Sequence, residues 1–156
     1  MKEANGGAAD VRAALDRWRS ILDVEHRALR AIPDARAALC PAGMTWSRKQ
    51  ILGHLIDSAS NNHQRFVRAQ LQREMKFPPY VQDRWAAAQA CDERPWHDLV
   101  DLWHGFNRHL LHVAARIPEA ALDNVCIVSD DEPSSLRHHV TDYVVHLRHH
   151  LGQILR

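Results

Sequence analysis

The 156-residue chain has little of what usually announces a function. Its three cysteines, Cys40, Cys91 and Cys126, are an odd number, widely spaced, with no CxxC pair. That argues against a disulfide framework and against cysteine-ligated zinc. No apolar run approaches a membrane span, and the opening MKEANGGAADVRAAL lacks the apolar core of a signal peptide. A cytoplasmic location with no membrane partner is therefore expected. Twenty basic residues against nineteen acidic ones leave a net charge of +1, scattered along the chain, which disfavours nucleic acid as a partner. Convincing strand alternation is missing as well, so the chain reads as all-α. Repeats and low-complexity linkers are also absent, and residues 1–156 are expected to form a single domain.

What is present is helical periodicity and histidine. Four amphipathic stretches occupy about 9–31, 47–72, 95–117 and 134–155. In the first, Val11, Leu15, Trp18, Leu22 and Leu29 share a face, while the small and polar residues 1–8 are expected to fray. Glu25 falls on that stripe too, either as a half-solvated carboxylate near the bundle end or as one pointed into a polar pocket. The second helix starts with a capping box, Ser47 to Gln50, flanked by Trp46 and Ile51 at the spacing of a hydrophobic staple. A long connection over 74–93 follows. Its prolines bar helix through 77–79, 83–91 can form a short one, and it carries Phe77, Tyr80, Gln82 and Trp85. Pro95 opens the third helix, whose stripe holds Leu99, Leu102, Trp103, Phe106, Leu110, Val113, Ala114 and Ile117, with Asn107 as a buried amide among them. The segment from Pro118 to Pro133 reads as an acidic loop. Ser134 or Ser135 caps the fourth helix, with Leu136, Val140, Tyr143, Val144, Leu147, Leu151 and Ile154 on its apolar arc. Four such helices imply a four-helix bundle, in which sites are built from side chains on facing helices.

Twelve histidines are unusually many. His146 and His150 stand one turn apart on the fourth helix, a spacing that lets two rings converge on one metal ion. This HxxxH is weak by itself in so histidine-rich a chain, and the glutamate of HExxH metalloproteases is absent because Leu147 follows His146. On the second helix Asp57, Ser58, Asn61 and Arg65 all lie within about 60° of His54. If the second and fourth helices run antiparallel, His54 meets His146 and His150. Three nitrogen ligands leave a coordination position for water or substrate, the arrangement of catalytic sites. Asp57 and Glu25 are then the candidate bases. Asn61, Arg65 and Tyr80 are the candidate substrate contacts, and Asp142 is the natural acceptor for an imidazole N–H.

The stretches Trp46-Ser47 through Ile51-Leu52-Gly53-His54-Leu55-Ile56-Asp57, Asn61-Asn62-His63-Gln64-Arg65-Phe66, and Asp142-Tyr143 through His146, His150 and Gln153-Ile154 resemble the DinB/YfiT-like superfamily in order and spacing. The resemblance covers nearly the whole chain. It implies a bundle of up-down-down-up connectivity with a long loop between helices 2 and 3. It also implies one divalent metal ion, zinc or nickel, on His54, His146 and His150, and pairing as a homodimer. The activity it implies is that of a hydrolase or a transferase using a low-molecular-weight thiol as co-substrate, acting on a small molecule. The alternative is a non-catalytic, metal-stabilised bundle serving as an interaction or stress-response module.

Overall fold

A computed structural model describes residues 3–129 and 131–156, with residues 3–9 known by their backbone alone. Six α-helices dominate it: α1 (Glu3–Arg30), α2 (Asp34–Ala37), α3 (Arg48–Arg68), α4 (Gln82–Gln89), α5 (Trp96–Ala114) and α6 (Leu136–Ile154). The first of them is already helical at Glu3, inside the stretch expected to fray; residues 1–2 lie outside the described residues. The four long helices pack in a ring in which α3 and α1 each lie against both α5 and α6.

Each long helix sends one aromatic ring to the centre: Trp18, Phe66, Trp103 and Tyr143, all essentially inaccessible to solvent. Trp18 and Tyr143 meet with ring centroids 4.7 Å apart, and Phe66 stands edge-on to Tyr143. A phenol buried this deeply needs an acceptor. Tyr143 donates to Asn107 Oδ1 at 2.7 Å, and Asn107 Nδ2 donates to the Trp103 carbonyl at 3.0 Å. Asn107 is thus a satisfied core amide. His104 is half-buried and stacked on His26, with ring centroids 3.8 Å apart.

The helix ends are tied by charged and polar side chains reaching backbone groups that helix geometry leaves without partners. Trp96 Nε1 donates to the Leu29 carbonyl at 2.8 Å, joining the start of α5 to the end of α1. Asp34 accepts from the Trp96 amide at 2.7 Å and pairs with Lys49 at 3.1 Å, so the starts of α3 and α5 share one carboxylate. Arg48, buried at 6% exposure, donates to the carbonyl of Ile154 at 2.9 Å and to that of Leu39 at 3.2 Å.

The expectation of no strands is corrected by a small three-stranded sheet. Strand β1 (Glu74–Phe77) pairs in parallel with β2 (Val125–Val128), and β2 pairs antiparallel with β3 (Ser134–Ser135). Both main strands are four residues long, too short for alternation to stand out, and the Val-Cys-Ile-Val run of β2 does not alternate at all. What makes them strands is their pairing across 51 residues, from Glu74 to Val125. The same sheet gives structure to both the 74–93 connection and the segment read as an acidic loop. Helix α4 falls where a short helix was expected, and α2 adds one turn to the Ala- and Pro-rich connection before α3.

Close approach of α3 to the connection depends on one glycine. A Cβ on Gly53 would stand 2.6 Å from Cys91 Sγ. Gly53→Ala should therefore cost about 1–3 kcal/mol by overpacking. Adding Cys91→Ala should recover most of that loss in chemical denaturation. An unchanged midpoint for Gly53→Ala alone would show that the contact yields without strain.

Candidate metal centre

The register of α3 against α6 follows from two local signals and one long contact. Ser47 caps α3 with both halves of the capping box in place, so the helix starts at Arg48. Ser135 caps α6 by accepting from the His138 amide. The Arg48–Ile154 hydrogen bond then sets the first residue of α3 against the last of α6. At ~1.5 Å per residue, His54 lies ~9 Å into α3, between His150 at ~6 Å and His146 at ~12 Å back from Ile154. The three rings come level.

His54, His146 and His150 each bring one ring nitrogen within 4.8 Å of the others. His54 Nε2 and His146 Nε2 are 3.1 Å apart. Ligand atoms ~2.1 Å from a tetrahedral ion stand about 3.4 Å from one another, so the cluster has the dimensions of a metal site. His54 is buried at 1% exposure and the other two rings are half-buried. Burial, reinforced by the neighbouring rings, pushes His54 down to about 4; burial first, then His150, does the same to His146. His150 is lowered as well, chiefly by burial. All three rings are consequently neutral near pH 7, the form that ligates metal.

The outer nitrogens of the rings are held unequally. Gln153 Oε1 accepts from His150 Nδ1 at 2.7 Å, which puts the ring proton there and leaves Nε2 as a lone pair facing the cluster. Ser58 Oγ lies 3.5 Å from His146 Nδ1. His54 Nδ1 is buried with no hydrogen-bond partner among the described residues, and Trp46 stands over the ring with centroids 5.5 Å apart. Three neutral imidazoles converging their lone pairs, with no carboxylate or cysteine among them, fit a borderline divalent ion such as zinc or nickel.

A 580 Å³ cavity opens beside the cluster, with His146, Ser58, Asn62, Arg65, Tyr80 and Asp142 in its walls. A family model described as the DinB superfamily matches residues 14–154. The chain belongs to the DinB superfamily. A protein of Oceanobacillus iheyensis named as a candidate metal-dependent hydrolase is 26% identical over 110 residues, 70% of this chain and 63% of the relative. The match thus spans less than two thirds of that relative's length. Bacillus subtilis YfiT, described as a candidate metal-dependent hydrolase with an unusual four-helix-bundle topology, superposes with a TM-score of 0.80 at 17% identity, covering 92% of this chain and 83% of YfiT. A mycothiol-dependent maleylpyruvate isomerase superposes with a TM-score of 0.78 at 13% identity, over 92% of this chain and 60% of the isomerase. At these identities the superpositions show a shared fold.

Around the histidines of this DinB-superfamily chain, the residues expected from sequence are distributed unevenly. Arg65 and Tyr80 line the cavity, and the Tyr80 ring packs on Trp85 with centroids 4.8 Å apart. Asp57 is buried at 3% exposure, but it does not line the cavity: Gln89 of α4 donates to its Oδ1. Burial raises its pKa, with the Gln89 bond opposing. Asn61 turns its amide back onto its own helix, donating to the Asp57 carbonyl at 2.9 Å, and faces a separate groove with Lys76 and Phe77. Glu25 is half-buried on α1 and has no hydrogen bond or ion pair among the described residues. Asp142 is exposed and makes no hydrogen bond to an imidazole among the described residues; Gln153 does that work for His150 instead.

Gln153, Ser58 and Asn62 were not singled out as site residues from sequence. The signal was in their spacing: Gln153 follows His150 by three residues, and Ser58 and Asn62 follow His54 by four and eight. Asn62 is buried and donates to the Ser58 carbonyl at 2.9 Å, holding the residue that faces His146.

Two outcomes follow. Gln153→Leu should weaken metal binding about 10- to 100-fold, measured by competition with a chromogenic chelator, with the fold intact by circular dichroism. Unchanged affinity would remove Gln153 from the site. For metal-free protein, His54 and His146 at about 4 lie below the unfolded value of 6.5. As pH falls, the unfolded chain takes up protons that the folded chain refuses, so stability is full above about pH 6.5 and is lost toward pH 4. A His54→Leu/His146→Leu variant should have a flatter profile of Tm against pH over that window. An equal slope would assign the loss to other groups.

Proposed function

We propose that this chain is a divalent-metal-dependent enzyme that processes a small molecule by hydrolysis or thiol-dependent group transfer. The observation that carries the reading is the convergence of three neutral imidazole nitrogens, within 4.8 Å of one another, beside a 580 Å³ cavity in whose wall His146 stands. His54, His146 and His150 would hold the ion, zinc or nickel. When bound, such an ion acidifies a coordinated water or thiol toward neutral pH. Gln153 and Ser58 orient two of the rings, Asn62 steadies Ser58, and the cavity admits the substrate. Of the two carboxylates named as bases, we favour Asp57, one turn beyond His54, whose burial raises its proton affinity. Reaching the cavity would require it to release Gln89. Glu25 has no comparable setting.

The cavity also favours an enzyme over a bundle that uses metal only for stability, since a structural site has no need of open space. A low-molecular-weight thiol is proposed as co-substrate. We further propose the up-down-down-up course; the pairing of helix starts and ends through Trp96, Asp34 and Arg48 supports it. A homodimer is proposed too, supported by the exposed Val24 and Val145 on α1 and α6. Among the described residues no helix is long and apolar enough to cross a membrane.

Elemental analysis of the purified chain tests the site. Near-stoichiometric zinc or nickel is expected in the unmodified protein, falling to background in His54→Ala and in His146→Ala. Full metal content in both variants would mean that the three rings do not form the site. A loaded protein that neither exchanges a bound water nor accepts an added thiol would overturn the catalytic reading.

A further inference from the structure

Four basic side chains are withdrawn from solvent, and three of them are held by carbonyls or carboxylates of the protein, although Nη1 of the third, Arg137, has no partner among the described residues. Arg48 is held by backbone carbonyls, Lys49 by Asp34 and the Arg94 carbonyl, and Arg137 by Glu119 and Asp123. Arg65 is different. Among the described residues no carboxylate lies within 4.0 Å of it, and its side-chain hydrogen bond is a single long one to Asn62 Oδ1 at 3.4 Å. A guanidinium offers five N–H donors, so most of them have no partner among the described residues; Arg65 lines both the 580 Å³ cavity and the separate groove beside Asn61.

Its direction is also defined. Helical side chains lean toward the N-terminus of their helix. The bond to Asn62, three residues back, shows Arg65 doing so, which aims it along α3 toward Ser58 and the histidines. Ser58, Asn62, Arg65 and His146 then line one continuous wall. Three carboxylates, Asp131, Glu132 and Asp142, line the same cavity, and all three are exposed. Charge is therefore sorted by depth, with one withdrawn cation inside and three solvated anions toward the mouth.

We propose that the cavity takes a small monocarboxylate, with its carboxylate held by Arg65 and its outward end, neutral or cationic, toward Asp131, Glu132 and Asp142. This rests on the cavity being the substrate site of the metal centre. A planar fork binds a carboxylate through two parallel N–H bonds, which gives both anchoring and direction. The acidic mouth repels a second anionic group and so discriminates against dianions of similar length.

The test uses butyrate, the same chain bearing an ammonium (4-aminobutyrate) or an added carboxylate (glutarate) at its far carbon, and the uncharged butyramide. Each is titrated into the full-length chain and followed by backbone amide shifts in NMR, a readout that the Arg65 variants keep. Butyrate and 4-aminobutyrate should bind at least tenfold more tightly than butyramide, with glutarate weaker than either. Arg65→Gln should abolish the advantage over butyramide, Arg65→Lys should keep part of it, and Asp131→Asn/Glu132→Gln should bring glutarate up to butyrate. His54→Ala, which tests the metal reading separately, should leave butyrate binding in place. Unchanged affinity in Arg65→Gln would overturn the proposal. So would binding that survives Arg65→Gln and disappears in His54→Ala, because the carboxylate would then sit on the metal.

Discussion

The three-histidine cluster depends on where α3 meets α6, and one buried arginine sets that meeting. Arg48 sits at the first position of α3 and satisfies the carbonyl of the last residue of α6, along with the Leu39 carbonyl of the preceding connection. A terminal carbonyl left unpaired in a buried position costs about 1–3 kcal/mol, and a charged donor meets it more strongly than a neutral one. Because α-helices have a fixed rise, holding these two ends together fixes the height of every residue behind them. His54 thereby lands between His146 and His150, with no further device needed to align the rings.

The rest of the architecture keeps that alignment rigid. Tyr143, Trp18 and Phe66 lock the middle of the bundle, and the Tyr143–Asn107 hydrogen bond fixes α6 against α5. The close passage of Gly53 under Cys91 brings the α4 region onto α3. Gln89 on α4 then reaches Asp57, and Tyr80, ahead of α4, reaches the cavity. The sheet ties the same connection to the segment before α6, so the cavity is walled by two stretches far apart in sequence. Water-poor surroundings keep the three imidazoles neutral, the condition under which their lone pairs are available to a cation.

Legibility in the sequence followed the range of the interaction. The capping box at Ser47, the apolar stripes apart from Leu102, which is 43% exposed, and the HxxxH spacing are local patterns, and each is where the periodicity put it. The second-helix strip around His54 was visible, yet its members part company in three dimensions. Arg65 faces the cavity, Asn61 turns onto its own backbone, and Asp57 is taken by Gln89. A helical wheel resolves angle around one axis and says nothing of which neighbour occupies each angle. For the same reason Asp142, one turn before His146, suggested an imidazole partner, whereas Gln153, beyond His150, is the residue that has the reach. The sheet was invisible because pairing between two four-residue segments leaves no periodic trace in either.

By itself, then, the sequence determined four amphipathic helices, the capped starts of α3 and α6, and the pair of histidines that share one turn of α6, since spacing along a helix is set by backbone geometry alone. That His54 completes the cluster, that Arg65 is a withdrawn cation whose one side-chain hydrogen bond among the described residues is the long one to Asn62, and that Asp57 and Glu25 do not line the cavity were decided only by the tertiary structure. Those facts depend on which helices are neighbours and at what height, and packing of the whole core settles both.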